Sequence, residues 1–130
     1  MAVSDLNRDT REVISGLDGI VIIKALADIP GGRTLDVTNV AEGTTVLKAG
    51  HVIISVTADG VTTYKPMPVS GSSYGSLPAS HSYVGVLKAS IPVKDPRAAI
   101  VTMGQVNAAA SPYPLTSAIK NALSNIQFMY

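Results

Sequence analysis

V-L-K-A-G-H-V-I-I (46–54), Y-V-G-V-L-K-A-S-I (83–91) and A-A-I-V-T-M-G-Q-V-N (98–107) are the three phrases on which the fold turns. Each carries β-branched residues in or near alternation and each touches a glycine, the pattern of short strands bounded by turns. From 46 to 107 the chain has two histidines, no cysteine and few carboxylates. Side chains of this kind make a surface built to pack.

Working outward, 51–57 (H-V-I-I-S-V-T) places Val52, Ile54 and Val56 on one face. Asp59-Gly60 then supplies a two-residue primed turn into a return strand over 61–64. In 83–91, Leu87, Ala89 and Ile91 oppose Lys88 and Ser90. Pro92 ends that strand, and Asp95-Pro96 turns the chain into 98–106, so the two strands are expected to pair as a hairpin. Upstream, after the turn signal Asp18-Gly19, the run I-V-I-I-K-A (20–25) predicts a strand buried on both faces. Leu35 and Val37 alternate with Thr34, Asp36 and Thr38, which predicts a half-exposed strand over 34–40.

Residues 65–82 hold three prolines, two glycines and the tract S-G-S-S-Y-G-S. That composition predicts a long exposed loop unable to sustain a ladder and available as a contact surface. Pro112 and Pro114 introduce a helix over 116–125, capped by Thr116 or Ser117, with Leu115, Ile119, Ala122, Leu123 and Ile126 along one stripe. A helix of about ten residues is marginal alone, so it must dock on the sheet. The chain closes on the apolar I-Q-F-M-Y. Residues 1–16 are polar without an apolar face and read as an N-terminal arm or short frayed helix that orders only against something else. The expectation is one β-rich domain over 17–130: mainly β, a small β-sandwich or open barrel with one C-terminal α-helix.

The 130 residues can bury about two thirds of the surface their unfolded chain exposes, so a core forms without staples. Hydrophobic residues make up 46% and charged residues 15%, against about 25% charged in ordinary soluble domains. Surplus apolar surface of that kind usually enters an interface. Ten basic residues balance nine acidic ones with no run of like charge, which leaves no footprint for nucleic acid. The absence of cysteine excludes disulfides and thiolate metal sites and suits a reducing cytoplasm. The longest apolar run, 19–27, is interrupted by Lys24 and falls short of the roughly 20 residues of a membrane span. The mixed charges of M-A-V-S-D-L-N-R-D-T-R-E do not match a secretory signal. The expectation is a chain neither exported nor anchored.

No constellation for catalysis emerges. His51 begins a strand after a glycine turn and His81 lies in the Ser-rich segment, neither in a motif with an orienting carboxylate, so both read as surface or turn histidines. S-G-S-S-Y-G-S is not followed by a helix and lacks a Gly-Lys-Ser/Thr ending, which removes the nucleophile elbow and the phosphate loop. Asp36, Asp59 and Asp95 are too far apart for calcium and sit where aspartate bonds its own backbone. No catalytic, cofactor or metal residue is assigned, and no enzyme activity is expected. Tyr64, Tyr74 and Tyr83 surround one long segment, with Tyr74 the candidate platform for a sugar ring. Phe128, Met129 and Tyr130 form a cluster of large side chains that can reach a neighbour or the chain's own core.

Taken in order, V-L-K-A-G-H-V-I, Y-K-P-M-P-V-S-G, Y-V-G-V-L-K-A-S-I, A-A-I-V-T-M-G-Q-V-N and a closing helix resemble the tailed-phage head fibre and auxiliary capsid proteins, those of phages of Bacteroides-type hosts most of all. The Lys-Ala-Gly entry, the Val-Gly-Val-Leu strand and the Gly-x-Val-Asn strand end are also similar to the small trimeric capsid-decoration proteins. The resemblance spans roughly 34–130. It departs from a long fibre, because no repeat or coiled coil is present to build a shaft. It implies a structural virion protein made in the host bacterial cytoplasm and bound to the outer capsid surface. The implied partners are the major capsid protein and further copies of the chain in a homo-oligomer, a trimer by analogy. Arg8, Arg11, Tyr74, Phe128, Met129 and Tyr130 are the candidate interface residues. The competing expectation is a glycan- or host-surface-binding β module using Tyr74.

Overall fold

The computed structural model describes residues 18–130. In chain order these form α1 (Asp18–Val21), β1 (Ile22–Asp28), β2 (Arg33–Thr34), β3 (Val46–Leu47), β4 (Val52–Ala58), β5 (Val61–Pro66), β6 (Val69–Ser70), β7 (Ser73–Tyr74), β8 (His81–Leu87), β9 (Ile91–Pro92), β10 (Arg97–Ala98) and β11 (Ile100–Asn107). A single 3₁₀ turn (Ala108–Ala110), α2 (Ser117–Ala122) and β12 (Ile126–Met129) follow. The fold is mainly β and open, layered like a small sandwich, with a short C-terminal helix.

The central sheet runs β1-β11-β8-β4-β5, with β12 parallel to β11. Three two-stranded ladders flank it: β10 with β2, β3 with β9, and β6 with β7. The middle strands feed two cores by strict alternation. Val52, Ile54, Val86 and Val101 point to one face and pack with Met67, Tyr74, Ile119, Leu123 and Ile126. Ile53, Leu87 and Ile100 point to the other and pack with Leu35, Leu47, Ile91 and Ala98. A strand covered on both faces has no position left for a polar residue, which is why β4 opens with V-I-I.

The Asp59-Gly60 turn forms as its sequence demands. Both residues hold positive φ, 52° and 77°, the geometry of a primed turn whose twist matches the strands it joins. Gly85 answers a different need: a Cβ there would stand 2.0 Å from the carbonyl oxygen of Val101, so only glycine lets β8 and β11 approach. The carboxylate of Asp18 accepts from the Ser90 backbone N–H at 2.8 Å and from its hydroxyl at 2.7 Å. The same hydroxyl accepts from the Ala49 N–H at 3.1 Å, tying the start of the described chain to two turns far along it.

Several expectations need correction. The run 20–25 is not a strand buried on both faces: its first residues complete α1, and β1 is an edge strand with Ile23 42% and Leu26 59% exposed. Over 34–40 only Arg33–Thr34 pairs; Leu35 is buried, and Asp36 then accepts from the Thr38 N–H and hydroxyl, closing an aspartate turn. Those Thr38 bonds, the backbone one foremost, hold the Asp36 carboxyl below its usual value. The segment 65–82 is not an exposed loop. Lys65 and Pro66 extend β5, Met67 and Tyr74 enter the core, and β6 and β7 form a small ladder between them.

Strands 83–91 and 98–106 do pair, through Ile100↔Leu87 and Val101↔Val86. Beyond that point β8 continues along β4 while β11 continues along β12. Their connection is no tight turn, since β9 and β10 lie within it. The helix is shorter than expected, six residues, capped by the Thr116 hydroxyl accepting from the Ile119 N–H at 3.3 Å. Ile119 and Leu123 dock as expected, but Ala122 is exposed and Ile126 belongs to β12.

Candidate functional site

Two surfaces stand apart from the packed body. The first is the outer side of the β1–β11–β12 half of the sheet. Lys24↔Gln105 and Gln105↔Gln127 are register partners, so these three side chains form one outward row, and the Gln105 amide donates to the Gln127 carbonyl oxygen at 3.0 Å. Ala25, Gly104 and Ile126 form the inward row beside it. Register shifts at Ile23, Leu26 and Thr102 disturb the alternation, and bulges of this kind turn apolar side chains outward. Ile23, Leu26 and Met103 are exposed there, as is Ile20 on α1. Two segments that could have covered this face, 29–47 and 88–98, spend their apolar residues on the other half of the sheet.

The second surface is a cleft of about 620 Å³ between the 39–48 loop, the 66–71 segment and Pro112–Tyr113. Its size falls in the range of small-ligand pockets, roughly 300–1,000 Å³. Asn39, Thr44 and Lys48 supply polar groups at its wall, Met67 and Pro68 apolar ones, and no carboxylate of the described residues lines it. His51 lies against it and is 5% exposed. A carbonyl only accepts, so the 3.0 Å contact between His51 Nε2 and the Met67 oxygen requires Nε2 to carry the proton and donate. The imidazole ring meets Tyr74 and Tyr113 edge to face, with centroids at 5.4 and 5.7 Å. Burial holds its pKa below the ordinary 6.5, and the Met67 carbonyl offsets this only in part.

Tyr74 is 7% exposed, and its hydroxyl accepts from the Val52 N–H at 3.1 Å. Burial drives its phenol well above the usual value, against the pull of that bond. No ring face remains free to stack on a sugar, so its candidacy as an exposed platform or interface residue is corrected: it is a core residue. The terminal trio does not act as one cluster. Phe128 stands opposite Val106 and packs on the core, Met129 stands opposite Asn107 on the other side of β12, and Tyr130 is 86% exposed. Arg8 and Arg11, with the arm over 1–16, lie outside the described residues.

His51 is buried, which corrects its expectation as a surface histidine; its place after the Gly50 turn is as expected. His81 is half-buried at the other end of β4, opposite Val56, and its Nδ1–H donates to the Ala79 carbonyl at 2.8 Å. Among the described residues no group of three or more His, Cys, Asp or Glu side chains is placed to hold a metal ion, and no helix is long and apolar enough to cross a membrane.

The sequence did not single out Ile20, Ile23, Leu26, Met103 or Tyr113. Lys24 was the available signal for the first three, because a lysine is almost never fully buried without a partner. For Tyr113 the signal was P-Y-P, which fixes an aromatic residue on a stiff turn. The class these features define is a mainly β domain whose edge half exposes apolar side chains beside a polar row, with a cleft that no carboxylate of the described residues lines. Compared with known proteins, the chain matches no protein-family model, no curated protein and no solved structure.

Proposed function

We propose that this chain is a structural virion protein that binds the outer surface of a phage head as a decoration or head-fibre protein. It works there as a homo-oligomer, a trimer by the resemblance, in contact with the major capsid protein. The observation that carries the reading is the outward group Ile23, Leu26 and Met103, with Ile20 beside it. Large apolar side chains left exposed on an edge strand and its neighbour suit an association surface, and the near-neutral charge of the chain favours packing between subunits over attraction to a polyanion. The ordered phrases of 46–107 support the same assignment. The glycan-binding alternative loses its platform with the burial of Tyr74.

The test is sedimentation of the purified protein alone and with purified heads. The expected result is a compact oligomer that adds to heads, with Leu26→Glu abolishing assembly while circular dichroism stays unchanged. A monomer that ignores heads, or a Leu26→Glu variant that assembles normally, overturns the reading. Glycan-array binding that survives Leu26→Glu would support the alternative.

A further inference from the structure

The cover over the first core is fastened to β4 at one point. The Met67 N–H donates to the Val52 carbonyl at 2.8 Å, the Val52 N–H donates to the Tyr74 hydroxyl at 3.1 Å, and the His51 Nε2–H donates to the Met67 carbonyl at 3.0 Å. Inside the cover, the Gly75 N–H closes onto the Pro68 carbonyl at 2.9 Å. Two consecutive residues of β4 and its entry, His51 and Val52, therefore hold the segment 66–75 down, and the 620 Å³ cleft opens along that segment's outer edge.

We propose that His51 is an acid-sensitive latch: a proton gained at its Nδ1 loosens the 66–75 cover from β4 and widens the cleft. With Nε2–H already committed to Met67, the added proton makes the ring a cation with a second donor. The groups facing it are Tyr74 on β7 and Tyr113 on the 112–113 turn, both aromatic, and Lys48 on the cleft wall, itself a cation. Among the described residues no carboxylate lines that wall: Glu42 on the 39–48 loop is exposed and outside its lining, and Asp18 is engaged by Ser90. A buried cation without a counter-charge is costly, and the available relief is to reach water through the cleft. That motion takes the ring away from Met67 and Tyr74, the two residues that pin the cover. The device is independent of any role on a viral shell.

Amide hydrogen exchange followed by NMR tests it. On moving from about pH 8 to about pH 5, the span in which imidazole titrates, exchange at Met67 and Gly75 should accelerate several-fold once the intrinsic pH dependence is divided out. Amides of β11 should not. The midpoint should coincide with the ring titration of His51 and not with that of His81, the chain's other histidine, and His51→Gln should flatten the response. Should His51→Gln fail to fold, the comparison of the two ring titrations in the unaltered protein decides by itself. Exchange that stays flat, slows because the tyrosine rings stabilise the imidazolium, or tracks His81 overturns the proposal.

Discussion

Two isoleucine-rich strands of one sheet have opposite fates. β4 (V-I-I-S-V-T-A) begins with three residues of 1% exposure or less, covered on one face by Tyr74 and Met67 and on the other by Leu35 and Leu47. β1 (I-I-K-A-L-A-D) lies at the sheet edge, paired only with β11, its Ile23 and Leu26 outward. Hydrophobicity alone does not distinguish a strand that feeds a core from one left exposed at a sheet edge. What separates them here is the rest of the chain: the flanking ladders β2–β10 and β3–β9 are recruited over β4, β8 and the first part of β11, and the described residues leave Ile23 and Leu26 of β1 exposed.

The sharpest way to break this comparison is truncation at matched residues. Ile53→Ala removes a fully buried side chain from the second core and should lower unfolding free energy by about 2–5 kcal/mol in urea or guanidinium titration, whereas Ile23→Ala should stay within about 0.5 kcal/mol for the monomer. Equal losses at the two positions would mean that β1 is as deeply packed as β4. Gly85→Ala follows in size. Its Cβ would collide with backbone at Val101, so β8 and β11 must separate, at about 1–3 kcal/mol. Tyr74→Phe should cost about 1–3 kcal/mol, because the buried Val52 N–H loses its acceptor. Loss of no stability in that variant would show that water replaces the hydroxyl.

The legible part of the fold was the part governed by local rules. Alternation in 51–57, the Asp-Gly turn and the Thr116 cap are each settled by backbone geometry within a few residues, and each appeared as its residues implied. The illegible part depended on tertiary cover. Pro66, Met67 and Pro68 look like a loop because proline cannot donate to a ladder, yet Pro66 closes an edge strand where no donor is needed. That placement drops Met67 into the core. Tyr74 looked like a surface ring because serines and glycines surround it, and its destination was decided by the Val52 N–H needing an acceptor 22 residues away. The candidate surface was not legible in the sequence: the run 20–25 reads as buried on both faces although Lys24 signals an exposed side, and Met103 joins it only through the register of β1 on β11.

Acidification sharpens the contrast between the halves. The doubly covered half holds the one buried polar side chain found among the described residues, His51. Its folded pKa is depressed by burial, so the unfolded chain binds the proton more readily than the folded one. Stability is therefore full above the ordinary imidazole value of 6.5 and falls as pH drops below it toward the depressed folded value. Unfolding midpoints measured across this range should decline on the acid side, and His51→Gln should remove that part of the decline. A decline of unchanged size in the variant would assign it to the carboxylates instead, of which Asp36 is one whose lowered pKa withdraws stability only at more acid pH.

The smallest expected effect on folding is at Leu26, and it is the most telling for function. Replacing an exposed leucine on a bulged edge strand removes little that the monomer has buried, so Leu26→Ser should leave the unfolding transition within about 0.5 kcal/mol. Association behaves differently, because apolar area that is free in the monomer is the area an oligomer buries, at about 25 cal/mol per Å². The same substitution should therefore shift the sedimentation coefficient toward the monomer and weaken addition to heads. A variant that unfolds early but assembles normally would reverse the assignment of the two strands, making β1 part of the core and leaving the cleft beside His51 as the working surface.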